Sequence, residues 1–375
     1  MRAAIISHAY LDPAARGKLK ALAGLGCAVA VAVPERWPGP DGRGEIVATF
    51  QDHAGVRIVP IRTSRGAEPR WSRGDLERLL ADFRPEVVQV EEEPETPAAA
   101  MALKVAERLR LPRIVHSWRS LPPDLGWWAA RRGRRALARA TGILAGNRRA
   151  AALLGQERPG IPLATIPQLG VTPPLTITRR PQEVFTIGFA GRLVPEKGME
   201  TLLHACVKLH GRWRIVAAGT GPEQVRLEAL AEKLGLGSRI TWLGMVPQEE
   251  LTALWPEVDC FVQPSRPTPT WVEPYSYVAV EAMAWGVPTV VGDCGALAEL
   301  VGGAGIVVPP GDVASLTAAL ARLRDDVAAR ESLGAAGRKR VMEEFTDAAV
   351  AQRTLAFWKE EGRPSKEGRP SGPTP

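Results

Sequence analysis

Residues 185–198 read FTIGFAGRLVPEKG, and the order of residue types in them decides the fold. The run FTIGFAG is apolar and rich in strand formers, which predicts a buried strand. A glycine-bounded loop follows, and METLLHACVKL, residues 199–209, then has the spacing of a helix. The same strand, loop and helix unit repeats downstream in WRIVAAG, PEQVRLEALAEKLG, ITWLG, QEELTALW, CFVQPS, VAVEAMAWG, PTVVGD and IVVPP. Upstream it appears as AAIISHAY, ARGKLKALAGLG, CAVAVAVP, DLERLLADF, EVVQV, PAAAMALKVAERLRL and PRIVHSW. Short apolar runs alternating with longer helical stretches belong to a parallel sheet with crossover helices. The two series are separated by VTPPLTITRRPQ, residues 171–182, whose prolines and polar residues suit a linker. The expectation is an α/β chain of two Rossmann-like, doubly wound domains, residues 1–178 and 179–345, facing a cleft. Residues 346–361 are expected to form a helix that returns to the first domain. Residues 362–375 repeat EGRPS with nothing apolar to bury, and disorder is expected there.

The bulk composition agrees with this and narrows the class. The 375 residues are 45% hydrophobic, as in globular proteins, and nowhere do eighteen apolar residues run together. The opening MRAAIISHAYLD is interrupted by His8 and Asp12 too early for a signal peptide, so a cytoplasmic location is expected. Cys27, Cys206, Cys260 and Cys294 lie far apart in no metal-ligand spacing and read as buried thiols. The net charge of +7 is uneven: residues 1–178 carry 26 Lys and Arg against 17 Asp and Glu, and the remainder 22 against 24. Much of the excess sits in GWWAARRGRRALARA, residues 126–140, where two tryptophans lead into five arginines on a predicted helix. Such a segment can rest on anionic lipid headgroups or on nucleic acid, or it can be a solvated helix face with its tryptophans in the core.

In open parallel sheets ligands bind beyond the carboxyl ends of strands, which directs attention to the loops after FTIGFAG and before VAVEAMAWG. The first presents Arg192 and Lys197 beside Gly191, two cations five positions apart that can clamp a diphosphate. The second reads EPYSYVAVE, residues 273–281. Pro274 suits the entrance of a helix, which predicts Glu273 at its mouth and Glu281 within it. Eight positions along such a helix span roughly 12 Å, about the separation of ribose and hexose in a nucleotide sugar. Carboxylates accept hydrogen bonds from vicinal hydroxyls, while the helix N-terminus between them favours phosphate. A salt bridge to a nearby arginine, or a solvent-facing position, is the other reading of Glu281.

Taken in order, FAGRLVPEKG, GTGPE, WLGMVP, the long segment CFVQPSRPTPTWVEPYSYVAVEAMAWGVPTVVGDCGALAELVG, and GIVVPPGD resemble the retaining glycosyltransferases of family 4, which have the GT-B architecture. In the first half SHAY, VEEEPET, AGN and IPQLGV resemble a subgroup of the same family. The resemblance implies transfer of a sugar from a nucleotide-diphosphate donor to a glycan or lipid-linked acceptor, in bacterial surface polysaccharide or glycolipid synthesis. It implies donor contacts from Gly191, Arg192, Lys197, Glu273, Tyr275, Ser276 and Glu281, with Arg192 and Lys197 on the diphosphate, Glu273 on the transferred sugar and Glu281 on ribose. No cofactor beyond the nucleotide sugar, no nucleic acid and no catalytic metal are implied, and no D-x-D occurs in the chain. The chain departs from the family at Tyr275 and Ser276, which replace a phenylalanine and a glycine, and at YLDPAARGK, which replaces a glycine pair after the first strand. Trp118 stands where many members carry a histidine; His116, two residues earlier on the same strand face, is the candidate for that place. The altered first-domain loops keep open a nucleotide-sugar-binding subunit without turnover. A nicotinamide-dependent oxidoreductase is disfavoured, because no G-x-G-x-x-G follows the first strand. With its basic helix the protein is expected at the inner face of the cytoplasmic membrane.

Overall fold

The computed structural model describes residues 1–38, 45–64, 69–122, 124–177 and 183–361, without the side chains of residues 248 and 249. Residues 178–182 of the linker, the boundary proposed at 178/179 and the tail at 362–375 lie outside the described residues.

The first domain contributes strands β1 (Arg2–Ile6), β2 (Ala28–Pro34), β3 (Arg36–Pro38), β4 (Glu45–Val47), β5 (Gln51–His53), β6 (Val56–Ile61), β7 (Val87–Val90), β8 (Arg113–Ser117), β9 (Gly142–Ala145) and β10 (Leu163–Thr165). The second contributes β11 (Phe185–Ala190), β12 (Trp213–Ala218), β13 (Ile240–Gly244), β14 (Cys260–Gln263), β15 (Thr289–Gly292) and β16 (Ile306–Val308). One sheet runs β10-β9-β8-β7-β1-β2-β6-β5 and the other β13-β12-β11-β14-β15-β16. Pairing is parallel throughout both, apart from the antiparallel edge strand β5. The small antiparallel ribbon of β3 and β4 was not anticipated from the sequence.

Each sheet is buried on both faces, which is why its strands read as continuous apolar runs rather than alternating ones. Along β2, Ala30 and Ala32 join one apolar cluster while Val29, Val31 and Val33 join the cluster on the opposite face. The second sheet is likewise sandwiched, with Ile187 and Phe189 on one side and Phe261 and Val291 on the other.

The C-terminal region, residues 313–361, is helical almost throughout. It forms three helices, Val313–Asp325, Val327–Glu344 and Asp347–Glu361. The first break falls at Asp326, whose side chain accepts from Ala329 N and caps the next helix. The last helix packs on the first domain: Val350, Leu355 and Trp358 share an apolar cluster with Ile5 and Leu19. Its fully buried Trp358 donates from Nε1 to Gln89 Oε1 at 2.7 Å.

Candidate active site

The order of strands reverses twice, between β1 and β7 in the first sheet and between β11 and β14 in the second. At such switch points the two adjoining loops part and leave a crevice beyond the strand ends. In the second domain those loops are residues 191–198, after β11, and residues 264–276, after β14.

The two loops are locked together. Gly198 has φ +74°, and a Cβ there would lie 2.0 Å from Pro264 O, so only glycine lets the loops approach this closely. Lys197, at the end of the 3-10 turn Pro195–Lys197, sends Nζ to within 2.6 Å of Glu273 Oε2 and 5.2 Å from the Trp271 ring centre. Glu273 is only 4% exposed. The same Oε2 accepts from Gln263 Nε2 at 2.7 Å and Ser265 Oγ at 3.2 Å. Gln263 Oε1 in turn accepts from Ser276 Oγ, which also caps the next helix by accepting from Ala279 N at 3.1 Å. Gln263 therefore ties the Glu273 carboxylate to the helix start. Neither Gln263 nor Ser265 was singled out from the sequence, although two polar residues closing the apolar strand CFVQPS were a visible signal. Arg192 stands exposed at the rim, and Gly191 precedes it with an open backbone position.

The helix does not begin where Pro274 suggested. It spans Tyr277–Ala284 with Ser276 as its cap, and Pro274 lies outside it, so the path from Glu273 to Glu281 is helical only in its second half. The roughly 12 Å argument from helical rise therefore fails for the first four residues, Glu273 to Ser276. Glu281 is half-buried within the helix. Tyr275 departs from its expected place as well. Its ring packs against Tyr277, 4.8 Å between centres, and against Phe345.

The first domain has its own switch point, between β1 and β7. His8, after β1, meets Glu92, after β7, at 2.9 Å and stacks on Trp37 with ring centres 5.0 Å apart. Burial works against charge on His8, yet the hydrogen bond and charge of Glu92 outweigh it and raise its pKa. Beneath lies a sealed network in which Glu91 accepts from Lys18 at 2.9 Å, Gln89 at 2.6 Å and Gln168 at 2.7 Å. Burial alone would push Glu91 up, but the Lys18 ammonium holds it below the usual carboxylate range. Burial does push Glu93 up, to about 7, against the hydrogen bond from Ser117 Oγ and with the charge of Glu95 adding to it.

His116 is not on this edge as an accessible group. It is 1% exposed, contacts Ile166 O through Nε2 at 3.0 Å, and stands edge-on to Trp118. Burial lowers its pKa to about 4, so it is neutral at pH 7. The correction has a simple cause: strand alternation places a residue on a face without saying whether the face is covered.

All four cysteines are buried and free. Among the described residues no group of three His, Cys, Asp or Glu stands together as a metal-ligand set, and no helix is long and apolar enough to cross a membrane. The second domain's switch point thus brings together two cations, of a kind that can hold a diphosphate, and a carboxylate of a kind that can accept from hydroxyls.

Two family descriptions match the chain, Glycosyl transferase 4-like domain over residues 12–168 and Glycosyl transferases group 1 over residues 176–340. An uncharacterized glycosyltransferase, MJ1607 of Methanocaldococcus jannaschii, is 34% identical over 175 residues; the match covers 46% of this chain and 44% of that protein, so the chain spans less than half the curated relative's length. Among solved structures, sucrose-phosphate synthase from Thermosynechococcus elongatus superposes with a TM-score of 0.73 at 22% identity, covering 96% of this chain and 98% of its own. Anabaena Alr3699/HepE, solved in complex with UDP-glucose, does so with a TM-score of 0.69 at 17% identity, covering 96% and 100%. Both halves thus match glycosyltransferase descriptions in this order, on the two Rossmann-like domains of a GT-B fold.

Proposed function

We propose that this protein transfers a sugar from a nucleoside diphosphate donor to an acceptor hydroxyl, with retention of anomeric configuration and without a catalytic metal. The observation that carries the reading is the Lys197–Glu273 contact, which joins the two loops of the second domain's switch point into one charged, largely buried unit. When donor binds, the Lys197 ammonium and the Arg192 guanidinium neutralise the departing diphosphate as the C1–O bond breaks and the electron pair passes to the leaving oxygen. Glu273 accepts from the hydroxyls of the transferred sugar and Glu281 from ribose. Retention requires the acceptor oxygen to arrive on the face that the diphosphate leaves, where the newly charged leaving oxygen is the nearest acceptor for its proton. The shared fold of the Anabaena protein solved with UDP-glucose makes UDP sugars the first donors to try.

The acceptor is a glycan or lipid-linked hydroxyl in surface polysaccharide or glycolipid synthesis, reached from the inner face of the cytoplasmic membrane. Supporting this, Trp127 and Trp128 are 57% and 75% exposed rather than buried in the core, and Arg131 lies over the Trp127 ring at 5.2 Å. Beside them Lys104, Trp128, Arg131 and Arg135 help to line a basic hollow of 320 Å³. Aromatic rings at the headgroup level with cations alongside suit a peripheral contact with anionic lipid.

A thermal-shift screen of nucleotide sugars, followed by an assay for released UDP or GDP with candidate acceptors, tests the activity. Donor binding with no release under any acceptor would favour the non-catalytic subunit. Glu281→Ala is expected to weaken both nucleotide sugar and free nucleotide, and Glu273→Gln to spare free nucleotide. Equal losses of nucleotide affinity in the two variants would overturn the assignment of their roles.

A further inference from the structure

Asn147 lies two residues past the end of β9, in the first domain, and is 2% exposed. Its Oδ1 accepts from Ala150 N at 2.8 Å and so caps the helix Arg148–Glu157. Its Nδ2 donates to Ser120 Oγ at 2.8 Å and, across the domain junction, to Pro274 O at 2.9 Å. The amide orientation is fixed by these partners, because Ala150 N–H needs an acceptor where Pro274 O needs a donor. Proline has no N–H, so this carbonyl is the one main-chain hydrogen-bonding group that Pro274 owns.

The neighbouring contacts make the grip two-pointed. Arg148 N, at the start of the same helix, donates to Glu299 Oε2 at 2.9 Å, a carboxylate of the second domain's helix Leu297–Val301. That helix is fastened to the donor loop, because Ala296 N donates to Glu273 O at 2.8 Å and a Cβ on Gly295 would lie 2.1 Å from the same oxygen. Two consecutive carbonyls, of Glu273 and Pro274, are thus held from opposite domains. Glu273 has its backbone fixed from within its own domain and its outgoing chain fixed by the other.

We propose that Asn147 is a positioning residue for the transfer step, which sets the Glu273–Pro274 segment in its working geometry only when the two domains are docked. The proposal rests on the reading of Glu273 as the ligand of the transferred sugar. Domain opening breaks the Nδ2–Pro274 contact while leaving the helix cap intact, so donor-sugar alignment is coupled to closure and nucleotide binding is not.

Asn147→Asp separates the two roles of the side chain, since Asp caps a helix about as well as Asn but has no N–H for Pro274. In the full-length variant, UDP or GDP affinity by calorimetry should stay within about twofold of wild type, because Arg192 and Glu281 lie wholly in the second domain. The kcat should fall about fivefold or more, as expected for one buried hydrogen bond lost, with little change in donor KM. Hydrogen exchange of the 275–280 amides should quicken by a similar factor. A merely capping role would leave kcat and this exchange at wild-type values in Asn147→Asp and disturb them in Asn147→Ala alone, which would overturn the proposal. Should the wild type turn over no nucleotide sugar, the functional reading fails, and the exchange measurement still decides the cross-domain contact: unchanged exchange at 275–280 in Asn147→Asp refutes it.

Discussion

Replacing Lys197 with methionine keeps most of the side-chain length and removes the charge that faces Glu273. The side chains are 15% and 6% exposed, so neither is screened as a surface pair would be. Removing one partner of a fully buried ion pair costs about 3–5 kcal/mol, because the other charge stays buried without compensation. Here Glu273 Oε2 keeps its bonds from Gln263 and Ser265, each worth about 0.5–1.5 kcal/mol, which softens the loss. Lys197→Met is therefore expected to destabilise the second domain by about 2–3 kcal/mol. Glu273→Gln should cost less, about 1 kcal/mol, since the flexible lysine can then swing its ammonium into water. In the double variant the buried charge is gone, so the two effects should fail to add by about 1.5–2.5 kcal/mol. Urea titration of the four proteins, read on the transition of the second domain, measures this coupling. Arg192→Ala serves as the contrast, because this exposed arginine should shift stability by no more than about 0.5 kcal/mol while lowering kcat by about 10² to 10³. Additivity of Lys197→Met and Glu273→Gln within about 0.5 kcal/mol would refute the pairing, and an unchanged kcat in both cation variants would move the diphosphate site elsewhere.

Three further outcomes follow from particular contacts. Gly198→Ala forces a Cβ to 2.0 Å from Pro264 O at φ +74°, and a loss of about 2–4 kcal/mol is expected in the same titration; wild-type stability would show that the loops are not locked. Glu93, with its pKa raised from 4.5 to about 7, holds its proton more tightly folded than unfolded, so it lowers stability as pH rises through that window. Glu93→Gln should match wild type near pH 4.5 and exceed it by up to about 3 kcal/mol at pH 8; an equal difference at both pH values would sink the assignment. Changing Arg131, Arg134 and Arg135 to Gln should reduce pelleting with anionic vesicles at low salt without altering turnover of a soluble acceptor, each cation contributing about 1 kcal/mol. A wild-type protein that does not pellet ends the membrane reading.

Periodicity alone was enough for the second sheet, for β1, β2, β7 and β8 of the first and for most crossover helices, because parallel strands buried on two faces read as apolar runs, as Val29–Val33 does, whereas β5, β6, β9 and β10 were not singled out. The strand-end rule was enough to bring Arg192, Lys197 and Glu273 into consideration, since ligands in open parallel sheets bind beyond the carboxyl ends of the strands. Tertiary structure decided what periodicity does not encode. It placed Pro274 outside the helix by giving the cap to Ser276, sealed His116 under its neighbours, and left Trp127 and Trp128 in solvent. It also chose the partners: Lys197 reaches a glutamate 76 positions away and Asn147 a carbonyl 127 positions away. Local sequence sets which way a side chain points along its own strand or helix. Which group it then meets depends on the strand order and on how the two domains dock, and those arise from the packing of whole faces rather than from any one segment.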